Sequence, residues 1–450
     1  MRRTGILSLL LCLCTVFTLA PISPALAQGK RISFIRDAEI EETLRTFSAP
    51  IFDAAGLKKE NIDLYIVNDK SLNAFVARGQ NIFFNAGLLM KAGTAEEVIG
   101  VIAHETGHIS GGHLARIGEQ LDIANNTSIA TFLLSAVAGI AAGRGDVAFG
   151  ALAAGQHLAT QNILGYSRTQ ERSADQAGIE FLDKAGLSSK GLLTFMKKLE
   201  SQAFLISDNR DPYLSTHPAV DKRISFIKKH LETSPLADAP VTASFEVLQR
   251  RMRGKLKGFL NEPVKTLRDY DPVDTSVEAR YARAIAFYRK PDLTPALELI
   301  DGLLAEMPAD PYFLELKGQV LFENSRIAES VPYYEKAVAT KPGSALLRVG
   351  LAQSQIAMES KDMSQKALGN LTVALKKEPD NRYAWRLKSQ GHANLGNIAM
   401  AELSLAEYAL LGGDKPQAKL RAQKALKALP ENTPSWFRAS DIIALTGKNS

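Results

Sequence analysis

The run His104-Glu105-Thr106-Gly107-His108 carries the strongest chemical signal in the chain. Residues i and i+4 share one face of an α-helix, so both imidazoles can reach a single metal ion. Glu105 lies between them, aimed at the ion's remaining coordination position. There a carboxylate can take a proton from a bound water. Zinc suits imidazole donors, and it lowers the pKa of its water to about 7, so hydroxide is available at neutral pH. The preceding run Val98-Ile99-Gly100-Val101-Ile102-Ala103 is apolar, as a buried metal-bearing helix requires.

A catalytic site of this kind needs a third protein ligand and one open position. His113 is the first candidate. The pattern with a third histidine places it six residues after the second, behind G-x-x. His113 stands five residues after His108, so it reads instead as a structural histidine near the helix end. Glu171, in Glu171-Arg172-Ser173-Ala174-Asp175, is the better candidate. A carboxylate from a second helix completes a His₂Glu set. Asp175 is i+4 from Glu171 and shares its face, where it can accept the second N–H of a ligand histidine and fix that ring. The predicted metal ligands are therefore His104, His108 and Glu171, for one Zn2+ per chain. The predicted catalytic pair is Glu105 and Asp175. Arg223 can pair with either Asp175 or Glu171, and spacing does not choose between them.

These side chains need two helices brought together. Thr94-Ala95-Glu96-Glu97 fits a capping box opening a helix that runs through Ile99 and Ile102 towards His113. A helix over about Ser167 to Lys184 would carry Glu171 and Asp175 and stop at Gly186, which can take a positive φ. Residues 32–60 read as helical, with Ile40, Leu44 and Phe47 at helical spacing. Ile62 to Val67 alternates like a strand, and Asn73 to Asn85 carries an extended pair turning at Gly79-Gln80. Lys190 to Gln202 and Ala219 to Leu231 read as further helices. Between Asp122 and Arg168 only Arg144 and Asp146 are charged. Two readings of 123–168 stay open: a small-residue helical hairpin that plugs the cleft, or an apolar hairpin in contact with a membrane.

The ends of the chain have different signatures. Arg2 and Arg3, the apolar run Ile6 to Ala20 and the site Ala25-Leu26-Ala27 form a cleavable signal peptide over 1–27, so the mature chain begins at Gln28. Cys12 and Cys14 both lie inside it, which excludes disulfides and thiolate chemistry from the mature protein. Export by a bacterial-style signal points to a periplasm. At the other end, Ala296, Ser330, Ala367 and Ala401 are equivalent positions at spacings of 34, 37 and 34. Ile300, Tyr334, Leu371 and Leu405 follow four residues later, and Pro308, Pro342 and Pro379 close three units. Ala284, Gly318 and Ala352 supply small residues on the partner helices. A period near 34 with small residues at helix crossings is the tetratricopeptide signature, here over about 277–413 with a helical extension to about 445. Ser234-Pro235 to Pro240 separates a metallopeptidase domain over 28–235 from a repeat domain over 240–450.

Composition agrees with two or three folded domains: 450 residues, 46% apolar and 23% charged. The net charge of +6 comes without a Lys/Arg block interleaved with aromatics, so nucleic acid is not an expected partner. A mean hydropathy near zero excludes a polytopic membrane protein.

The segments AHETGH at 103–108, ERSAD at 171–175 and NAFVARGQNIFFNAGLL at 73–89 resemble the gluzincin metallopeptidases that include HtpX and the CAAX prenyl proteases. The resemblance covers about 35–230. It implies a mainly α fold with a small β-sheet, zinc endopeptidase activity, and an edge strand at Asn73, Ala74 and Phe75 that binds substrate by strand addition. With the signal peptide and the tetratricopeptide α-solenoid, the chain resembles the periplasmic beta-barrel assembly-enhancing protease group. That implies unfolded or misassembled substrates, outer-membrane barrel proteins among them, and contact with their assembly machinery through the repeats. It also implies a role for His217, which can occupy the zinc's remaining position and gate the enzyme; a substrate contact is the alternative. Two rival readings stay open: a chaperone or assembly scaffold with a latent protease, and a membrane-associated zinc peptidase anchored through 123–168.

Overall fold

The computed structural model describes residues 33–77, 80–113, 157–205, 217 and 220–447. The signal segment 1–27, the turn residue Gly79 and most of the low-charge stretch 123–168 lie outside the described residues. Among the described residues, no helix is long and apolar enough to cross a membrane.

The sheet has four short strands: β1 (Phe34–Ile35), β2 (Leu64–Val67), β3 (Ala74–Ala77) and β4 (Asn81–Asn85), in the order β1-β2-β4-β3. β1 is antiparallel to β2, β2 parallel to β4, and β3 antiparallel to β4, with Ala74 opposite Phe84. This leaves β3 at the edge. Alternation sorts the faces. Leu64, Ile66, Ile82 and Phe84 enter the core. Tyr65, Phe83 and Phe75 stack on the other face, with centroids 4.9 and 5.1 Å apart. The expected helix over 32–60 is shorter than its pattern. Phe34 and Ile35 pair with Val67 and Ile66, and α1 (Ala38–Ala54) begins where the Asp37 carboxylate accepts from the N–H groups of Glu39 and Ile40.

Six helices complete the N-terminal body: α2 (Ala86–Lys91), α3 (Ala95–Ser110), α4 (His157–Lys184), α5 (Lys190–Leu205), α6 (Val220–Leu231) and α7 (Ala243–Leu260). Their apolar stripes meet in one core that includes Leu44, Phe47, Ile102, Phe195 and Ile227. α7 follows the proline-punctuated stretch yet still gives Met252 and Leu256 to this core. α3 runs through the middle, capped by the Thr94 hydroxyl on Glu97 N–H. Gly186 ends α4 at φ 71°, the left-handed conformation that a glycine stop provides.

The rest is helical: α8 (Pro263–Asp269), α9 (Val277–Arg289), α10 (Leu293–Glu306), α11 (Pro311–Glu323), α12 (Ile327–Thr340), α13 (Ala345–Ala357), α14 (Lys361–Lys377), α15 (Arg382–Asn394), α16 (Ile398–Leu411), α17 (Lys415–Ala428) and α18 (Pro434–Gly447). Consecutive helices pack as hairpins, and Ala296, Ser330, Ala367 and Ala401 are all buried at the crossings. One close approach is at Tyr334, whose ring would lie 2.7 Å from a Cβ added at either Gly318 or Gly350. Pro308, Pro342 and Pro379 each follow a helix end by two residues, where the missing N–H costs nothing. The chain is thus mainly α with one small sheet, and its C-terminal half is a tetratricopeptide-like array.

Candidate metal centre

α3 presents His104 and His108 one turn apart, and α4 lies across it carrying Glu171 and Asp175. Glycine makes the crossing close. A Cβ on Gly107 would sit 2.4 Å from the Ala174 carbonyl oxygen, and one on Gly178 would sit 3.0 Å from the Ala103 backbone. No other side chain permits main chains this near. Gly100 plays the same part against Leu192 of α5, where a Cβ would lie 2.6 Å from the backbone nitrogen.

Four donor atoms converge. His104 Nε2 is 3.1 Å from His108 Nε2 and 3.4 Å from Glu171 Oε2. His108 Nε2 is 3.2 Å from Glu171 Oε1. His217 Nδ1 is 3.3 Å from His104 Nε2 and 3.1 Å from both Glu171 oxygens. Together these four residues could hold a metal ion, with one donor atom from each lying within 4.8 Å of the others. Donors around an ion with bonds of about 2.0–2.1 Å in a tetrahedron stand about 3.3–3.4 Å apart, so the cluster has the size such an ion needs. Lone pairs gathered this tightly repel unless a proton or a cation lies among them. Glu105 is fully buried beside the cluster, and neither of its carboxylate oxygens has a hydrogen-bond partner. Such burial is costly for a charged group; it suits one aimed at a bound water.

A layer of partners orients the donors. Asp175 Oδ1 lies 2.9 Å from His104 Nδ1, which leaves Nε2 free for the cluster. Arg223, from α6, donates from Nε and Nη2 to the two Asp175 oxygens at 2.7 and 2.8 Å, and its Nη1 lies 2.8 Å from Glu171 Oε2. It therefore pairs with both acids rather than one. His113 returns over the helix end, with Nδ1 2.9 Å from His108 Nδ1. Its ring occupies the space a Cβ on Gly111 would need, and Gly112 makes the turn at φ 61°. The sequence placed His113 near the helix end; its pairing with His108 depends on that double-glycine turn. Gly107 and Gly178 escaped notice because nothing in a lone sequence marks which glycines sit at a crossing.

The charges are strongly coupled. Burial and the Arg223 charge oppose protonation of His104, yet hydrogen bonds to Asp175 and Glu171 outweigh them and raise it to about 9. Burial lowers His108. Burial alone would raise Glu171, but His217, Arg223 and the ligand histidines hold it well below the usual carboxylate range. Asp175 is likewise held at about 2, against burial, by Arg223 and His104. The carboxylates thus stay ionised, as metal donors and their orienters must be.

Asn73, Ala74 and Phe75 lie at the edge strand beside this centre. Ala74 and Asn73 are buried, and the Ala74 carbonyl lies 3.2 Å from His217 Nε2. His104, Glu105, His108, Glu171, Asp175 and His217 are therefore neighbours, and His217 bridges the donor cluster and β3 at Ala74.

Residues 35–231 match the family model described as Peptidase family M48. Over 392 residues, 85% of this chain and 78% of the relative, the chain is 25% identical to a protein named beta-barrel assembly-enhancing protease from Yersinia pestis. It is 23% identical over 391 residues to the protein of that name from Escherichia coli strain K12, covering 84% of this chain and 77% of the relative. Over 195 residues, 43% of this chain and 72% of the relative, it is 27% identical to metalloprotease LoiP from the same strain. The donor cluster and the buried Glu105 both lie inside the matched region; the chain is a metalloendopeptidase whose residues 35–231 are similar to peptidase family M48.

Proposed function

We propose that this protein is a periplasmic zinc endopeptidase that removes misassembled outer-membrane barrel proteins, rests with its active site closed, and recruits clients or their assembly machinery through its repeats. The observation that carries the reading is the cluster of four potential metal ligands beside a buried Glu105 that makes no hydrogen bond and lies 3.6 Å from His217 Nε2. The names of the Yersinia and Escherichia relatives support the outer-membrane part.

His104, His108 and Glu171 would hold the ion. When bound, zinc supplies Lewis acidity towards the scissile carbonyl and lowers the pKa of water. Glu105 accepts a proton from the attacking water on a carboxylate oxygen and returns it to the departing amine nitrogen. Asp175, steered by Arg223, keeps the His104 proton on Nδ1, and His113 orients His108. Substrate adds as a strand along β3 at Asn73, Ala74 and Phe75, so recognition at the cleft is mainly of main chain. Such recognition selects weakly among unfolded chains, and selectivity is assigned to the repeat domain over 240–450, with the chemistry confined to 28–235.

His217 supports the closed resting state twice over. Its Nδ1 takes the position a water or substrate oxygen needs, and its Nε2 occupies a main-chain acceptor on the edge strand. The same closure favours a second reading, an assembly scaffold with proteolysis held in reserve. Glu105→Gln should retain metal and lose proteolysis, whereas Glu171→Ala should lose both. Crosslinking in cells with the Glu105→Gln protein should then capture outer-membrane barrel proteins; a captured set without them would sink that assignment.

A further inference from the structure

A cavity of about 490 Å³ opens where the start of the N-terminal body meets the repeats. Its volume is that of a ligand pocket. The walls are part apolar, with Ile40 from α1, Phe259 from α7 and Val349 from α13. Charged side chains share the lining: Asp37, Glu315 of α11 and Glu323, with Arg36 and Lys255.

The ion pairs around this cavity are short of positive charge. Arg36 is shared by Glu41 and Glu378, at 2.7 and 2.9 Å. Arg251 is shared by Glu39 and Asp310, at 2.7 and 2.6 Å. Lys255 serves Asp37 at 2.8 Å, Glu39 at 3.3 Å and Glu315 only at 3.9 Å. Three bases in this network thus serve six carboxylates. Glu315 is served worst: its Oε2 is shielded from solvent and has no hydrogen-bond partner. A buried acceptor without a donor costs free energy.

We propose that this cavity binds an extended peptide segment of a partner protein, placing a lysine or arginine against Glu315 and its neighbouring apolar side chains against Ile40, Phe259 and Val349. The cation restores the charge balance of the corner, meeting Glu315 where its side chain remains 20% exposed. Burial, opposed by Lys255 and reinforced by Asp37, Glu39 and Glu41, pushes the Glu315 carboxyl up to about 7, and a bound cation would bring it back down. An amphipathic peptide fits better than a simple amine because apolar wall accompanies the acid, and the Gln353 amide on that wall can pair with main chain. The site is remote in sequence from the metal ligands and stands whether or not the zinc chemistry is as proposed.

The test uses the full chain carrying Glu105→Gln, so that the probe is not cut, and a fluorescein-labelled pentapeptide Gly-Leu-Lys-Val-Gly. Anisotropy should show saturable binding. Replacing the probe's lysine by norleucine should weaken it at least about tenfold, the lower range for close charge pairs. Glu315→Gln should weaken the lysine probe equally and leave the norleucine probe unchanged. Leu346→Trp, which fills the cavity, should abolish binding of both while thermal unfolding shows a folded chain. Equal binding of the two probes, or an unaffected Glu315→Gln protein, would overturn the proposal. Binding only after residues 28–32 are removed would also overturn it, since the occupant would then be this chain's own basic segment.

Discussion

Gly107→Ala tests how the metal centre is assembled without touching a ligand. The added methyl would lie 2.4 Å from the Ala174 carbonyl oxygen and 2.9 Å from its Cα. Carbon and carbonyl oxygen settle no closer than about 3.3 Å, so α4 must retreat from α3 by about 1 Å. Overpacking of this kind costs about 1–3 kcal/mol. The larger effect falls on the centre. Glu171 and Asp175 both ride on α4, one before and one after Ala174, so both move with it. Metal sites tolerate displacements of about 0.2 Å, and the 3.4 and 3.2 Å separations of Glu171 from the two histidines leave no slack. Loss of an orienting partner alone weakens metal binding about 10–100-fold, and displacement of a ligand should weaken it at least as much. Chelator competition on the purified protein measures this directly. Gly369→Ala is the control: its Cβ meets nothing within 4 Å on the exposed side of α14, and it should keep metal affinity and gain up to about 1 kcal/mol. A Gly107→Ala protein with unchanged metal affinity and an unchanged unfolding midpoint would refute the close-crossing argument.

Three further outcomes are expected. His217→Ala should keep the metal and raise basal cleavage of an unfolded protein such as reduced casein; unchanged or lower cleavage with full metal would remove the gate. Arg251→Met leaves buried Glu39 to Lys255 and Tyr281 alone and should cost about 3 kcal/mol, as broken buried pairs do, read from urea unfolding; a cost under about 1 kcal/mol would show the pair to be idle. Tyr334→Ala empties the slot between Gly318 and Gly350 and should cost about 3–5 kcal/mol, with hydrogen exchange rising in α11–α13 but not in α3; protection lost equally in both would mean the repeats and the metal helix unfold together.

Much was legible in the sequence because it is local. The i, i+4 rule places His104 and His108 on one face, and the same rule pairs Glu171 with Asp175, whatever the rest of the chain does. The capping box at Thr94, the stop at Gly186 and the 34-residue period of the repeats are equally local, because a helix end or a hairpin crossing depends on residues within a turn or two.

What needed the tertiary structure is everything that depends on distance between remote segments. Nothing in the spacing says that Arg223 serves both acids, because its reach is set by how α6 lies against α4. Nor does it say that Gly107 and Gly178 bring two backbones together, since a glycine's purpose lies in the neighbour it admits. Phe34 and Ile35 carry a helical pattern but pair as a strand, because β2 offers them an unsatisfied edge. The shared core across the proline-punctuated stretch at 235–240, and the corner where three bases serve six carboxylates, arise from the docking of α7 and the repeats on α1. Short-range preferences decide which elements form; packing decides which of their side chains meet, and the chemistry of this protein depends on those meetings.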